Sequence, residues 1–154
     1  DTHKLVKGRN IVLFGLKIPS TYSLLGHSDA DVGIHSIIDA LLGSLALGDI
    51  GIHFPNTKKK YKGISSLLML QKVNELISSN YAEISHIDCT LIGEKPKISK
   101  YSNKMRNLLA KTLKIPVKNI SIKATTTEGL GFTGRLEGIS CSCTATVKKY
   151  IKNE

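Results

Sequence analysis

The fold of this chain is decided by one apolar stretch, which reads HSDADVGIHSIIDALLGSLAL at residues 27–47. Apolar side chains fall on nearly every side of a helix built from it, so we predict a buried helix that runs to about Leu47. Ser28 followed three residues later by Asp31 resembles a capping box at the start of this helix. The glycine-bearing residues 48–51 are predicted to end it.

Shorter patterns on both sides of this helix predict the remaining elements. Strands are expected at residues 11–18, 87–91, 120–124 and 139–147, helices at 64–79 and 101–113, and a loop with proline and lysines at 52–63. The order β–α–α–β–α–β–β predicts an α+β fold. We expect one domain over residues 1–154, with a mixed β-sheet and helices packed on one face.

The composition excludes several classes of protein. A length of 154 residues suits a single domain, and 41% hydrophobic with 22% charged residues argue against disordered and fibrous chains. No apolar run reaches the ~20 residues that span a bilayer, so we expect no membrane association. Three cysteines without a CxxC pair argue against a disulfide scaffold or a structural zinc ribbon.

The net charge of +10 is unevenly distributed. Residues 1–94 carry nine basic and nine acidic side chains, whereas residues 95–123 carry nine basic and no acidic ones. The basic segment is either a solvated helix face or a polyanion site. Aromatic residues make up only 5% of the chain and tryptophan is missing, which weighs against stacking on single-stranded nucleic acid.

Acidic and imidazole side chains gather where basic ones are missing, between Lys17 and Lys58. Asp31, His35 and Asp39 follow one another at intervals of four, which places them on one stripe of the predicted helix. Burying such groups without partners costs several kcal/mol. The stripe is therefore either satisfied by protein partners or lines a site, and a bound cation would explain the cluster.

Asp1 and His3 have the spacing of two ligands on one strand, because residues i and i+2 face the same way. With His35 they would give an Asp/His/His set that leaves a fourth position open, as catalytic zinc sites do. By spacing alone, a frayed terminus is the alternative.

Residues 123–135 combine three consecutive threonines, Glu128 and a glycine-rich turn after a predicted strand. Hydroxyls and exposed amides can hold phosphate oxygens, and a carboxylate can hold a hard divalent ion. Threonines at a strand end are otherwise ordinary β-formers. Residues 93–97 similarly predict a turn that could form a phosphate or base pocket.

Taken together and in order, these motifs resemble the 2-C-methyl-D-erythritol 2,4-cyclodiphosphate synthase family of the non-mevalonate isoprenoid pathway. The resemblance runs from Asp1 to about Lys149. Its landmarks are the Asp-x-His opening, residues 27–35, 39–43 and 47–51 with Phe54 and Pro55, then Pro96 and Lys97, and finally residues 123–139. Each landmark is weak alone, but the ordered set is specific.

The resemblance implies a homotrimer around central sheets with active sites between subunits. The implied reaction converts 4-diphosphocytidyl-2-C-methyl-D-erythritol 2-phosphate to the 2,4-cyclodiphosphate and releases CMP, which makes the enzyme a phosphorus–oxygen lyase. The substrate's own phosphate is the nucleophile, so the protein needs to orient it and to neutralise developing charge.

Site residues are carried over from the family by position. The implied metal ligands are Asp1, His3 and His35 for zinc and Glu128 for magnesium or manganese, and His27 and Thr126 occupy the catalytic positions. The implied substrate-binding residues are Ser28, Asp49, Ile50, Gly51, Phe54, Asn56, Gly93, Lys95, Pro96, Lys97, Ile98, Ser99, Ala124, Thr125, Thr127, Phe132 and Arg135, of which Phe132 and Arg135 would bind an anion near the threefold axis. We also expect Asp31 and Asp39 to support His35.

Two departures from the family pattern stand out. The family has an arginine- and glycine-bearing strand before the Asp-x-His motif, so we expect residues ahead of Asp1. Lysines at 58–60 replace acidic residues that are common after Phe54-Pro55 in the family.

The family is bacterial or plastid-located, and the 19 lysines against 3 arginines favour a parasite plastid, with a bacterial cytoplasm as the alternative. Two other functions are compatible with these residues. One is a basic trimer that binds nucleic acid through phosphate contacts, with a structural metal, although we expect no nucleic-acid partner. The other is a zinc-dependent hydrolase of nucleoside diphosphates.

Overall fold

A computed structural model describes residues 1–150, so the last four residues of the predicted 1–154 domain lie outside the described part. The strands are β1 (Thr2–Lys7), β2 (Asn10–Leu13), β3 (Leu16–Pro19), β4 (Tyr22–Leu24), β5 (Ala82–Ile92), β6 (Ile120–Thr125) and β7 (Gly138–Lys149). The helices are α1 (Val32–Ser44), α2 (Ile50–His53), α3 (Ser66–Ser79), α4 (Ser102–Leu113) and α5 (Gly131–Gly134). Short 3-10 turns cover Lys59–Tyr61, Ser99–Tyr101 and Val117–Asn119.

Five strands form a mixed sheet in the order β4-β1-β7-β5-β6. Only β5 and β6 pair in parallel, and the other neighbours are antiparallel. Alternate residues of β5 and β7, such as Ile87, Cys89 and Ile139, are buried under the helices. Helix α1 packs on β7, α3 on β5 and α4 on β6. The predicted α+β class with a mixed sheet is confirmed.

The strand predicted at residues 11–18 is wrong, because the segment is a hairpin of β2 and β3. Leu13 pairs with Leu16, and the two residues between them, Phe14 and Gly15, both have positive φ. Two such residues form the turn that matches the twist of a two-residue hairpin. Phenylalanine is uncommon at such a position, so residues 14 and 15 did not indicate a turn.

Both ends of α1 differ from the prediction. Asp31 itself is the N-cap, accepting from the backbone N–H groups of Gly33 and Ile34, so the Ser28–Asp31 capping box is wrong. At the other end Leu47 N–H donates to Leu42 and Ala46 N–H donates to Gly43. This is a Schellman motif with Ala46 at the left-handed position that glycine usually fills. The helix therefore ends at Ser44, not near Leu47.

Residues 48–51, which were predicted to end the helix, and residues 52–63, which were predicted to form a loop, are also partly helical. Asp49 caps α2, which runs through the expected boundary, and a 3-10 turn follows at Lys59–Tyr61. The helices predicted at 64–79 and 101–113 and the later strands are correct in type, although β5 and β7 are longer than predicted. Among residues 1–150, none of the helices has the length and apolar character needed to cross a bilayer.

Candidate metal centre and substrate pocket

Strand β1 and helix α1 bring Asp1, His3 and His35 together. Asp1 is held on β7 by two hydrogen bonds: its backbone nitrogen donates to the Cys141 carbonyl, and its carbonyl accepts from the Cys141 N–H, both at 2.9 Å. His3 lies in β1, two residues after Asp1, and pairs with Ile139 of β7. His35 lies in the first turn of α1 and is 8% exposed. The sheet and the helix thus fix all three residues.

The donor atoms of the three side chains face one another at short range. The Asp1 Oδ2 atom is 2.9 Å from His3 Nε2 and 3.2 Å from His35 Nδ1. The two imidazole nitrogens are 3.1 Å apart. A tetrahedral zinc ion with ligands at about 2.05 Å needs donor separations of about 3.3 Å. The spacing of this group therefore suits one small cation.

Hydrogen bonds on the opposite side of each imidazole ring determine which ring nitrogen carries the proton and which one presents a lone pair to Asp1. His3 Nδ1 lies 2.9 Å from the Leu25 carbonyl, which can only accept, so Nδ1 carries the proton. His35 Nε2 lies 2.9 Å from Ser66 Oγ, whose own proton goes to the Asp29 carboxylate. His35 Nε2 is therefore a donor as well. Both rings present a lone pair to the Asp1 carboxylate.

Three lone pairs that point at one spot repel one another unless a positive charge lies between them. In metal sites, the ring nitrogen of a histidine that does not bind the metal usually donates to a protein partner. His3 and His35 both follow this pattern. Within residues 1–150, this is the one group of three or more His, Cys, Asp or Glu side chains close enough to share an ion. The residues present therefore fit a cation.

Burial of His35 lowers the pKa of its imidazole below the ordinary value of 6.5, and the neighbouring His3 lowers it further. The neutral ring is the form that binds a metal. A neutral His35 in the folded protein also links folding to pH.

We expect the unfolding free energy of the metal-free protein to fall as the pH drops below about 6.5. The unfolded chain takes up a proton on His35 near that pH and the folded chain does so only at lower pH, so acid favours unfolding by at most about 1.4 kcal/mol per pH unit. Urea unfolding of the wild type and of His35→Gln between about pH 7 and pH 5 measures this. Wild-type stability should drop relative to the variant, and a parallel pH dependence of the two would contradict the assignment.

Asp31 and Asp39 make their hydrogen bonds to backbone N–H groups and not to the His35 ring, on which they act through their negative charge. The Asp31 carboxylate is fully buried and accepts from four backbone N–H groups, those of Phe14, Gly15, Gly33 and Ile34. Burial raises its pKa and these bonds oppose the rise. Asp39 accepts from the Ile50 N–H at 2.8 Å. Both carboxylates shape the backbone around the site.

Ser28, Ser66 and Asp29 are the residues that hold the His35 ring. Ser28 Oγ is 3.1 Å and Ser66 Oγ is 2.9 Å from His35 Nε2, and Asp29 accepts from the hydroxyl and the N–H of Ser66. Ser66 was not predicted as a site residue, because it stands 31 residues after His35 and contacts it only when α3 packs beside α1. Asp29 lies in the motif at 27–35, but nothing in its spacing indicated Ser66 as its partner.

A cavity of about 410 Å³ opens directly over the three donors. Predicted site residues on its wall are Asp1, His3, His35, His27, Ser28, Ile50, Gly51, Phe54 and Asn56. Asp49 is beside it as the cap of α2. Tyr61, Ile64 and Met69 also line the cavity and were not predicted. The motifs at 27–35 and 47–56 thus converge on one pocket.

A second, smaller cavity of about 170 Å³ lies at the ends of the parallel strands β5 and β6. Predicted site residues on its wall are Gly93, Pro96, Lys97, Ile98, Ser99, Ala124, Thr125 and Thr126. The predicted turn at 93–97 and the threonine strand end therefore share one cavity. Lys95 belongs to this turn without lining the cavity.

Glu128 stands in the turn after β6, with its Oε1 accepting from Thr126 Oγ1 at 3.1 Å. The carboxylate of Glu94, which was not predicted, accepts from the Thr127 N–H at 3.3 Å and fixes this turn against the 93–97 loop. Thr127 Oγ1 bonds inside the turn to the Leu130 carbonyl and to Thr133. The turn therefore holds Glu128 on the surface beside Thr126.

Phe132 and Arg135 lie outside both cavities. Phe132 is 43% exposed on α5, and the Arg135 guanidinium donates to both oxygens of Glu137 at 3.0 and 3.2 Å. This pairing lowers the pKa of Glu137 and raises that of Arg135. The anion site that the resemblance implies at these residues remains a prediction.

Comparison with known proteins places this geometry in a family. The YgbB family model matches residues 1–148. A curated 2-C-methyl-D-erythritol 2,4-cyclodiphosphate synthase from Agathobacter rectalis is 54% identical over 148 residues, which cover 94% of this chain and 84% of the relative.

Two solved structures are similar over nearly the whole chain. The bifunctional IspDF of Campylobacter jejuni superimposes with a TM-score of 0.93 at 36% identity; the match covers 97% of this chain, which spans 41% of the length of that protein. A CDP complex of IspF from Plasmodium falciparum has a TM-score of 0.85 at 31% identity, covering 98% of this chain and 93% of that one. With the family match over residues 1–148, these similarities show that the chain belongs to the YgbB family, the family of the 2-C-methyl-D-erythritol 2,4-cyclodiphosphate synthases.

Proposed function

We propose that this chain cyclises 4-diphosphocytidyl-2-C-methyl-D-erythritol 2-phosphate to 2-C-methyl-D-erythritol 2,4-cyclodiphosphate and releases CMP, in the non-mevalonate pathway of isoprenoid synthesis. The observation that carries the proposal is the convergence of three metal-donor lone pairs, from Asp1, His3 and His35, at the floor of an open cavity. The family's curated relatives bear the name of this activity. The reaction breaks a phosphorus–oxygen bond without water, which makes the enzyme a lyase.

We assign zinc to Asp1, His3 and His35, since two imidazoles and one carboxylate with an open fourth position suit a catalytic zinc site. Zinc bound there supplies a Lewis acid for a phosphate oxygen. We assign magnesium or manganese to Glu128, because such ions are commonly held by one or two carboxylates together with substrate phosphates. The exposed position of Glu128 supports this assignment.

The remaining residues are assigned to binding and orienting the substrate. His27 and Ser28 on the wall of the larger cavity, and Thr125 and Thr126 in the smaller one, offer donors to phosphoryl oxygens, with His27 and Thr126 as the catalytic pair. The segment 49–51 with Phe54 and Asn56 is assigned to the methylerythritol part. The 93–99 loop is assigned to cytidine, and the CDP complex of the Plasmodium relative supports a nucleotide ligand.

We propose a homotrimer with each site between two subunits. The zinc cavity and the cavity assigned to cytidine have no lining residue in common within one chain, which is consistent with a site that two chains complete. Exposed apolar side chains at Ile52, Leu130 and Phe132 support a covered surface near both regions. We place the anion site of Phe132 and Arg135 at the trimer axis.

The bacterial alternative for location fits the comparisons better than the plastid. The Agathobacter relative at 54% identity is bacterial, whereas the Plasmodium structure is at 31%. Nothing in the comparisons supports a plastid location for this chain, and we propose a bacterial cytoplasm.

Phosphorus NMR of the product tests the proposed reaction. Purified protein with zinc and magnesium should convert the cytidyl substrate to CMP and a cyclic diphosphate with two coupled phosphorus resonances. A linear phosphate product would indicate a hydrolase instead. Unchanged substrate in the presence of both metals would contradict the proposal.

A further inference from the structure

We infer that Lys58, Lys59, Lys60 and Lys62 form a cationic rim on the zinc cavity, which favours the highly charged substrate over the less charged products. The inference rests on the proposed function. The four lysines are all exposed, and they stand between residues that belong to the cavity wall.

The chain holds this rim at the mouth of the cavity from both sides. Asn56 before it and Tyr61 within it line the cavity. The segment is folded by bonds from the Lys58 N–H to the Pro55 carbonyl and from the Tyr61 N–H to the Lys58 carbonyl. The Gly63 N–H then donates to the carbonyl of His27, another wall residue, at 2.9 Å. The lysines therefore stay close to the opening.

Tyr61 links the rim to the cavity wall through its ring. It packs edge-on against Phe54 with ring centroids 5.5 Å apart. Lys60 Nζ lies 4.8 Å and Lys72 Nζ 6.0 Å from the centre of the same ring, within the range of a cation–π contact. Two ammonium groups are thus drawn towards an aromatic residue that faces the cavity.

The positive charge of the rim is not balanced within its own segment. Residues 50–74 contain five lysines and no aspartate or glutamate. Across residues 1–150, none of the ion pairs involves a lysine of this segment. The rim therefore projects positive potential into the opening, where an anionic ligand has to pass.

The charges of the proposed substrate and products give this potential a selective effect. A diphosphate diester and a phosphate monoester together carry about −4 near neutral pH, whereas CMP and the cyclic diphosphate each carry about −2. Attraction to a fixed positive charge grows in proportion to the ligand's charge. The rim therefore attracts the substrate more strongly than it attracts either product.

Replacing the four rim lysines by glutamine tests the inference. At low ionic strength the KM for the cytidyl substrate should rise about tenfold, and kcat should stay within about twofold. Added salt should raise the wild-type KM towards that of the variant. Calorimetric binding should show weaker CDP binding by the variant, with the affinity for uncharged cytidine unchanged.

The matched control is a variant with Lys104, Lys111, Lys114 and Lys118 replaced by glutamine. It loses the same charge, and these exposed lysines line neither the zinc cavity nor the cytidine cavity. Its KM should stay near the wild-type value. Equal effects in both variants, or none in the rim variant, would overturn the inference. Absent wild-type turnover would instead refute the proposed function, and the CDP and cytidine measurements would still test the rim.

Discussion

Replacing His35 by alanine is expected to abolish zinc binding and to lower kcat/KM by about a thousandfold. The variant leaves Asp1 and His3 as the only donors, too few for a stable tetrahedral site. A metal that polarises a phosphoryl oxygen contributes several kcal/mol to the transition state, and about 4 kcal/mol corresponds to this loss. Zinc titration of the metal-free protein and CMP release measure the two effects.

His86→Ala is the control for the loss of an imidazole. His86 is exposed on β5 and lies outside the three-donor group and both cavities. It should retain wild-type zinc affinity and turnover. A His35→Ala protein that still binds zinc with wild-type affinity and turns over normally would refute the metal site.

Asp31→Ala is expected to lower the free energy of unfolding by about 3–5 kcal/mol, the largest stability effect that we predict. This carboxylate joins two parts of the fold, because it caps α1 through Gly33 and Ile34 and holds the hairpin turn at Phe14 and Gly15. Alanine leaves all four N–H groups without their acceptor. Urea unfolding monitored by circular dichroism gives the change.

Asp39→Ala provides the comparison on the same helix. Asp39 is half-buried and accepts from one backbone N–H, that of Ile50. Its loss should cost about 1 kcal/mol. If the two variants are destabilised equally, the bridging role of Asp31 is wrong.

The sequence predicted the parts of the fold that depend on periodicity. The later helices and strands follow from regular apolar spacing, which survives in the folded chain because one face of each element is buried. The hairpin at Phe14 and the end of α1 at Ala46 were missed, since both turns put a residue other than glycine at positive φ. The turn at Phe14 is held by tertiary bonds to Asp31, whereas the turn at Ala46 is held by local backbone bonds at the end of α1.

The metal donors were indicated by residue type and spacing, but their supports were not. Asp1 and His3 stand two apart on a strand, and His35 lies in the marked helix, so their convergence could be anticipated. The contact of His35 with Ser66 depends on the packing of α3 beside α1. Asp31 was assigned to His35 because the expected stripe assumed that residue 31 lies within the helix, whereas it caps the helix and turns its carboxylate to the backbone.

Anomalous diffraction at the zinc edge, from crystals of the protein grown with zinc, tests the central claim most directly. We predict a single strong peak per chain in the described region, about 2.0–2.2 Å from Asp1 Oδ2, His3 Nε2 and His35 Nδ1. A map without a peak among these three atoms, or with zinc bound only elsewhere, would contradict the account.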